Sequence, residues 1–241
     1  MWIDLGSPDV DGSKRFYGGL FGWQAQDLGP EAGGYSFFML GGKMVGGVGP
    51  LMSPQQPPAW STYVCSSDAA ATVKAAEGGG GSVVVQPMDV MGQGRMAGFM
   101  DPTGAYIGVW QPMQHTGLEL ANQPNSYCWT ELHTRDPEAA KRFYPPVFNW
   151  TVETHQDYTE WKVGGRSVAG MMPMSDQMPA SVPPHWLVYF AVDDCDASAN
   201  KGQELGAQMT VPPMDVEPGR FAVFRDPQGA TFGIIKLKAQ M

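Results

Sequence analysis

Cysteine and histidine are scarce in this chain of 241 residues: three Cys, at 65, 128 and 195, and four His, at 115, 133, 155 and 185. The cysteines are odd in number and none forms a C-x-x-C pair. Neither a disulfide framework nor a thiolate metal centre is therefore expected, and a reducing cytoplasm is the expected location. Each cysteine reads as a small apolar residue, not a reactive thiol. Positive charge is short as well. Fifteen Lys and Arg stand against 24 Asp and Glu, for a formal net charge of −9, and no basic cluster is present to displace counterions from phosphates. Nucleic acid and anionic membrane surfaces are excluded as partners on that ground. No apolar run approaches the roughly 20 residues that cross a bilayer. The opening Met1-Trp2-Ile3-Asp4 has no basic or apolar leader, so no export signal is expected. The G-x-S-x-G nucleophile motif is missing. The glycine run Gly78 to Gly81 follows an Ala-rich helix instead of preceding one, which makes it a helix stop and not a phosphate cradle.

What the chain does have is aromatic side chains for a core (8 Trp, 8 Tyr, 11 Phe) and a sequence written twice. Residues 2–23, WIDLGSPDVDGSKRFYGGLFGW, lie without a gap on residues 129–150, WTELHTRDPEAAKRFYPPVFNW. Trp2 matches Trp129, Leu5 matches Leu132, the Lys-Arg-Phe-Tyr run recurs, and Trp23 matches Trp150. PPAWSTYVCSSD at 57 then matches PPHWLVYFAVDD at 183, PMDV at 87 recurs at 213, and DPTGAYIG at 101 matches DPQGATFG at 226. Four blocks in one order at a near-constant offset predict two homologous domains, residues 1–113 and 126–241, joined by a linker at 114–125.

Each half divides again. Its first part predicts a strand at Trp2–Gly6, a turn and cap at Ser7-Pro8-Asp9, a helix at Gly12–Leu20, and a hairpin through Tyr35–Leu40 and Lys43–Val48. Its second part predicts a strand at Trp60–Cys65, a cap at Asp68, a helix to Glu77, strands at Val83–Gln86 and Met96–Phe99, a turn at Asp101–Gly104, and a strand at Ala105–Trp110. The result is βαβββ four times, with Pro-rich loops at Pro50–Pro58 and Pro173–Pro184 between the parts.

The D-x-x-x-S/A-x-x-F-Y-x-x-x-F/L-G/N-W pattern at 9–23 and 136–150, followed by a closing D-P-x-G-A turn, resembles the vicinal oxygen chelate superfamily of glyoxalases, bleomycin resistance proteins and extradiol dioxygenases. The resemblance implies an α+β fold of two tandem domains. Each would pair two βαβββ modules into a curved, incompletely closed mixed sheet whose concave face holds a ligand. It also implies a divalent cation held by His, Gln and Glu on the first and last strands of a module. Those positions fall here on Trp2, Ser61, Trp129 and Leu187, and on Gly108 and Gly233. None suits a cation, so no cofactor is expected, although the resemblance leaves room for a divalent metal.

Alternation along the first strand puts Trp2 and Asp4 on one face, and Trp129, Glu131 and His133 on the matching face of the second repeat. By the geometry of the resembled family, Ser61, Tyr63, Leu187 and Tyr189 face the same side. The ligand-binding candidates are thus Trp2, Asp4, Tyr63, Trp129, Glu131 and Tyr189. An aromatic wall with one carboxylate and one phenol suits a planar or cationic organic molecule. The leading expectation is a monomeric, glyoxalase/bleomycin-resistance-like protein that binds a small aromatic or cyclic metabolite or antibiotic, for sequestration or transport, without metal. The alternative is a lyase, isomerase or dioxygenase in the second domain, with Glu131 and His133 as an acid–base pair or as part of a rearranged metal site. Gly6 stands at the His133 position of the first repeat, so a working His133 means that the two halves do different jobs. His185 reads as a surface residue where a loop meets a strand.

Overall fold

The structure is a computed structural model. It describes residues 1–176 and 178–238; Gln177 of the second Pro-rich loop and the last three residues of the expected second domain lie outside the described residues.

Among the described residues four α-helices form, each behind an aspartate: α1 (Val10–Phe21), α2 (Ala69–Gly78), α3 (Pro137–Phe148) and α4 (Cys195–Glu204). The side chains of Asp9, Asp68, Asp136 and Asp194 accept from the backbone N–H of Gly12, Ala71, Ala139 and Ala197. Each bond satisfies one of the first-turn N–H groups that a helix leaves without a partner. Gly22 closes α1 at φ 74°, in the left-handed region that glycine enters without strain, and its N–H bonds the Gly18 carbonyl.

The strands are β1 (Trp2–Ser7), β2 (Gln24–Asp27), β3 (Ser36–Leu40), β4 (Lys43–Pro50), β5 (Ala59–Cys65), β6 (Ser82–Val90), β7 (Gly94–Met100) and β8 (Tyr106–Pro112) in the first repeat. The second has β9 (Tyr127–Thr134), β10 (Thr151–His155), β11 (Tyr158–Val163), β12 (Arg166–Pro173), β13 (His185–Ala191), β14 (Gln208–Val216), β15 (Gly219–Arg225) and β16 (Thr231–Leu237). They make two eight-stranded mixed sheets, in the orders β2-β3-β4-β1-β5-β8-β7-β6 and β10-β11-β12-β9-β13-β16-β15-β14. Within every module the first strand pairs parallel with another strand of the same module: β1 with β4, β5 with β8, β9 with β12 and β13 with β16. The remaining pairs inside the modules are antiparallel hairpins, joined by short turns. This is the α+β arrangement of βαβββ modules that the sequence predicts. Strands β2 and β10 were not legible in it, because every residue in both is exposed and no apolar alternation marks them. Strand β6 runs on through Pro87, which an edge strand tolerates because its outer side lacks a ladder partner.

By packing, the chain forms two compact units, each drawing one module from either repeat. One comprises Met1–Trp2, Ser61–Gly117 and Trp129–Leu187; the other comprises Ile3–Trp60, Leu118–Cys128 and Val188–Met241. In the second of these, Tyr17 of α1 is fully buried among Phe16, Phe21, Trp23, Phe38, Trp60 and Phe232. Its hydroxyl donates to Asp226 Oδ2 at 2.9 Å and accepts from Trp60 Nε1 at 2.8 Å. In the other unit Tyr144 of α3 donates to Asp101 Oδ2 at 2.7 Å and accepts from Trp186 Nε1 at 3.0 Å. Each aspartate is the first residue of a D-P-x-G turn, and its other oxygen closes that turn by accepting the N–H of Ala230 or Ala105. The tyrosine of either repeat thus binds the closing turn of the other. Burial pushes both phenols well above their ordinary pKa, with the facing carboxylate adding to the effect.

All three cysteines are free; Cys65 is exposed, while Cys128 and Cys195 are buried. Burial pushes the Cys128 thiol up to about 12 and, with Asp196 beside it, the Cys195 thiol up to about 11, so neither forms a thiolate near neutrality. Among the described residues no helix is long and apolar enough to cross a membrane.

Tyr17→Phe leaves Trp60 Nε1 and one oxygen of Asp226 buried without their partner, and Tyr144→Phe does the same to Trp186 and Asp101. Each substitution is expected to cost about 2–4 kcal/mol in chemical denaturation. The pair should add to within about 0.5 kcal/mol, because the two networks share no partner.

Candidate functional site

The centre of β9 carries the candidates Trp129, Glu131 and His133, and the parallel register sets Glu131 opposite Gly170 of β12. Glycine is needed there. An added Cβ would lie 2.6 Å from Tyr158 Cζ and 2.9 Å from Trp129 Nε1, well inside van der Waals contact. The Tyr158 ring, from the first residue of β11, lies across this gap. Its hydroxyl accepts from Trp129 Nε1 at 2.9 Å and donates to Glu131. Burial and the neighbouring carboxylate push the Tyr158 phenol well above its ordinary pKa, so it remains a donor at all ordinary pH.

His133 Nε2 lies 2.8 Å from Glu131 Oε1, and the two side chains are only 10% and 8% exposed. A carboxylate so far removed from water requires donors, and here Tyr158 and His133 supply them. The His185 ring, at the start of β13, stacks on His133 with centroids 5.1 Å apart and planes 21° apart. His185 Nδ1 is 2.9 Å from the Pro183 carbonyl. Burial holds the His185 imidazolium below its ordinary pKa, and His133 adds to the lowering; the Pro183 carbonyl and Glu131 pull the other way. His185 stands where a loop meets a strand, as the sequence reading has it, and the structure adds its stacked partner. Two prolines and a tryptophan around it gave no sign of the stacked imidazole, because the partner is 52 positions away. Tyr158 was missed as well, since it opens a strand whose predecessor is wholly exposed.

The first repeat keeps half of this arrangement. Asp4 of β1 is opposite Gly47 of β4, and Tyr35 reaches over Gly47 to donate to Asp4 Oδ2 at 3.1 Å. Gly6 stands where the second repeat has His133, and Ala59 where it has His185. Trp2 is buried with His115 set edge-on at 4.3 Å. Tyr63 and Tyr189 each cover a glycine of their own module. Their Cα partners across the parallel pair are Gly108 and Gly233. A Cβ at Gly108 would come to 2.8 Å from Tyr63 Cγ, and one at Gly233 to 3.0 Å from Tyr189 Cγ. Tyr189 also meets Phe221 edge-on.

Gly108 and Gly233 are the places where the resemblance puts a metal-binding carboxylate. The tyrosine rings occupy the space in which such a side chain would begin. The first-strand positions hold Trp2, Ser61, Trp129 and Leu187. Among the described residues no group of three or more His, Cys, Asp or Glu is disposed to hold a metal ion. The residues at these positions do not fit the ligand set that the resemblance implies.

Comparison with known proteins follows the same lines. The sequence profile of the Glyoxalase/Bleomycin resistance protein/Dioxygenase superfamily matches residues 2–109 and again 113–234. The chain is 40% identical over 246 residues to "Putative glyoxylase CFP32" of Mycobacterium tuberculosis, covering 98% of this chain and 93% of that one. It is 41% identical over 256 residues to the anthracycline biosynthesis protein DnrV of Streptomyces peucetius, covering 98% and 92%. Among solved structures, the Mn(II)-bound glyoxalase of Novosphingobium aromaticivorans superposes with a TM-score of 0.68 at 18% identity, over 98% of this chain and 81% of that one. At that identity the likeness speaks for the fold.

Two outcomes are expected from this geometry. Gly233→Ala should destabilise by about 1–3 kcal/mol, and Tyr189→Ala in the same chain should recover part of that loss, read as a non-additive double-mutant cycle. His185 binds its proton less readily folded than unfolded, so its contribution is complete above about pH 6.5 and falls as pH drops below that. Urea melts at about pH 7.5 and 5 should show a smaller acid loss in His185→Gln than in the parent.

Proposed function

We propose that this chain, which belongs to the Glyoxalase/Bleomycin resistance protein/Dioxygenase superfamily, binds a small aromatic or cyclic molecule without the metal that the resemblance implies. The observation that carries the reading is the replacement of the expected ligands. Tyrosine rings cover Gly108 and Gly233, and indoles stand at Trp2 and Trp129. Rings offer area and a polar edge for a planar guest, and no lone-pair set for a hard cation. Trp129 and Glu131 are the proposed ligand contacts of the second repeat, with the Trp129 N–H turned inward to Tyr158 so that the apolar part of the indole is left for the guest. Trp2, Asp4, Tyr63 and Tyr189 are proposed as further contacts, each from its own unit. The name of the Streptomyces relative, an anthracycline biosynthesis protein, agrees with a polycyclic ligand class.

Titration with the bicyclic ketone 2-tetralone, followed by tryptophan fluorescence, should show saturable binding. Trp129→Ala should weaken it by about tenfold or more, the loss of one aromatic stacking partner. Elemental mass spectrometry of untagged protein purified without chelator should find less than about a tenth of an equivalent of Fe, Zn, Mn or Ni. A near-stoichiometric metal that disappears in Glu131→Ala/His133→Ala overturns the metal-free reading.

A further inference from the structure

We infer that His133 is a general base, held in one tautomer by Glu131, which takes a proton from carbon next to the carbonyl of an aromatic or cyclic ketone. The inference rests on the ligand-binding reading above and adds a reaction to it. The comparison between repeats separates this role from a structural ion pair. Both repeats keep an acid on the first strand, a glycine opposite it, and a tyrosine donating to the acid: Asp4, Gly47 and Tyr35 in one, Glu131, Gly170 and Tyr158 in the other. That shared frame stands without any histidine in the first repeat, where Gly6 is close-packed by Gln56. The fold therefore does not require imidazole here, yet the second repeat adds two, stacked on each other, with the His133 side chain only 10% exposed.

The geometry suits proton transfer. Glu131 is fixed from behind by the Trp129–Tyr158 chain of hydrogen bonds, and its Oε1 accepts at 2.8 Å from His133 Nε2. A carboxylate can only accept, so the Nε2–H tautomer is selected and the lone pair stays on Nδ1. Among the described residues the hydrogen bond of His133 runs through Nε2 alone, which leaves Nδ1 for a substrate. His185 donates its Nδ1–H to the Pro183 carbonyl, and its burial favours the neutral ring. The stacked neighbour thus puts no second positive charge beside His133 when the proton arrives. In the reaction, a C–H bond next to the carbonyl breaks and an N–H bond forms at Nδ1. The electron pair moves into the enolate, and the imidazolium then returns the proton to another atom of the same molecule. The balance is that of an isomerisation and needs no oxidant or reductant. Glu131 is a positioning residue in this scheme, because it acts through His133.

The test has two arms on the intact chain. In D2O, 2-tetralone should gain deuterium next to its carbonyl faster with the protein than in buffer, as followed by proton NMR. His133→Gln should lower that rate about 100-fold or more, and Glu131→Gln by about 10–100-fold, each compared at saturating 2-tetralone. Independently of any ligand, nitrogen-15 NMR of the histidine rings near pH 8 should show His133 protonated on Nε2 and bare on Nδ1, with a second tautomer appearing in Glu131→Gln. The base is overturned if His133 carries a proton on Nδ1 under those conditions. It is equally overturned if the protein binds 2-tetralone without exchanging it, or if His133→Gln exchanges as fast as the parent. Failure to bind 2-tetralone counts against the ligand-binding reading instead, and the NMR arm then decides on the base alone.

Discussion

The buried hydrogen bond from a helix tyrosine to the aspartate of a distant turn is the constraint on which the rest of this structure depends. Tyr17 and Asp226 are separated by 209 residues, Tyr144 and Asp101 by 43. Each tyrosine sits in an aromatic cluster where an unpaired hydroxyl would be costly, and each aspartate ties down the backbone of its own D-P-x-G turn. The bond therefore satisfies two groups that burial would otherwise penalise, and it does so between a module of one repeat and a module of the other. Each repeat carries one such tyrosine and one such aspartate, and both bonds in the structure run from one repeat to the other. Burial pushes the Asp226 carboxyl above its usual range, and the bonds it accepts from Ala230, Tyr17 and the turn backbone hold it back. Charge, desolvation and hydrogen bonding are balanced at a single side chain.

With the modules so arranged, the parallel pair inside each one determines what its face can carry. Parallel register sets an acid opposite a glycine in β1 and β9, and a tyrosine opposite a glycine in β5 and β13. The missing Cβ makes room for a ring in all four modules. In two of them the ring reaches the acid; in the other two it covers the place where the resemblance puts a metal-binding carboxylate. One steric device, repeated four times, thus sets an aromatic ring over a glycine in every module.

The asymmetry between the repeats is what the proposed chemistry rests on. The acid–tyrosine frame is common to both, and only the second adds His133 and His185. Gly6 and Ala59 at the corresponding positions of the first repeat show that the frame stands without them. An imidazole whose Nε2 is fixed by a carboxylate, itself fixed by a phenol and an indole, has its orientation settled before a ligand enters. Such preorganisation serves binding and proton transfer alike.

Sequence alone determined the duplication, the four modules and most of their elements, because those signals are local. An aspartate at a helix cap acts on an N–H three residues on, a glycine ends the helix it follows, and a D-P-x-G turn closes within four residues. The pairing of Glu131 with His133 was legible for the same reason, since alternate residues of a strand share a face. Strands β2 and β10 were not, because an edge strand that is wholly exposed carries no apolar period. Tyr158 against Glu131, His185 against His133, and the exchange of tyrosine and aspartate between repeats were decided only by the tertiary structure. Each joins residues from different strands or modules, and nothing in either residue's neighbours along the chain specifies the partner; hydrogen-bond saturation and close packing select it only once the sheets and helices have come together.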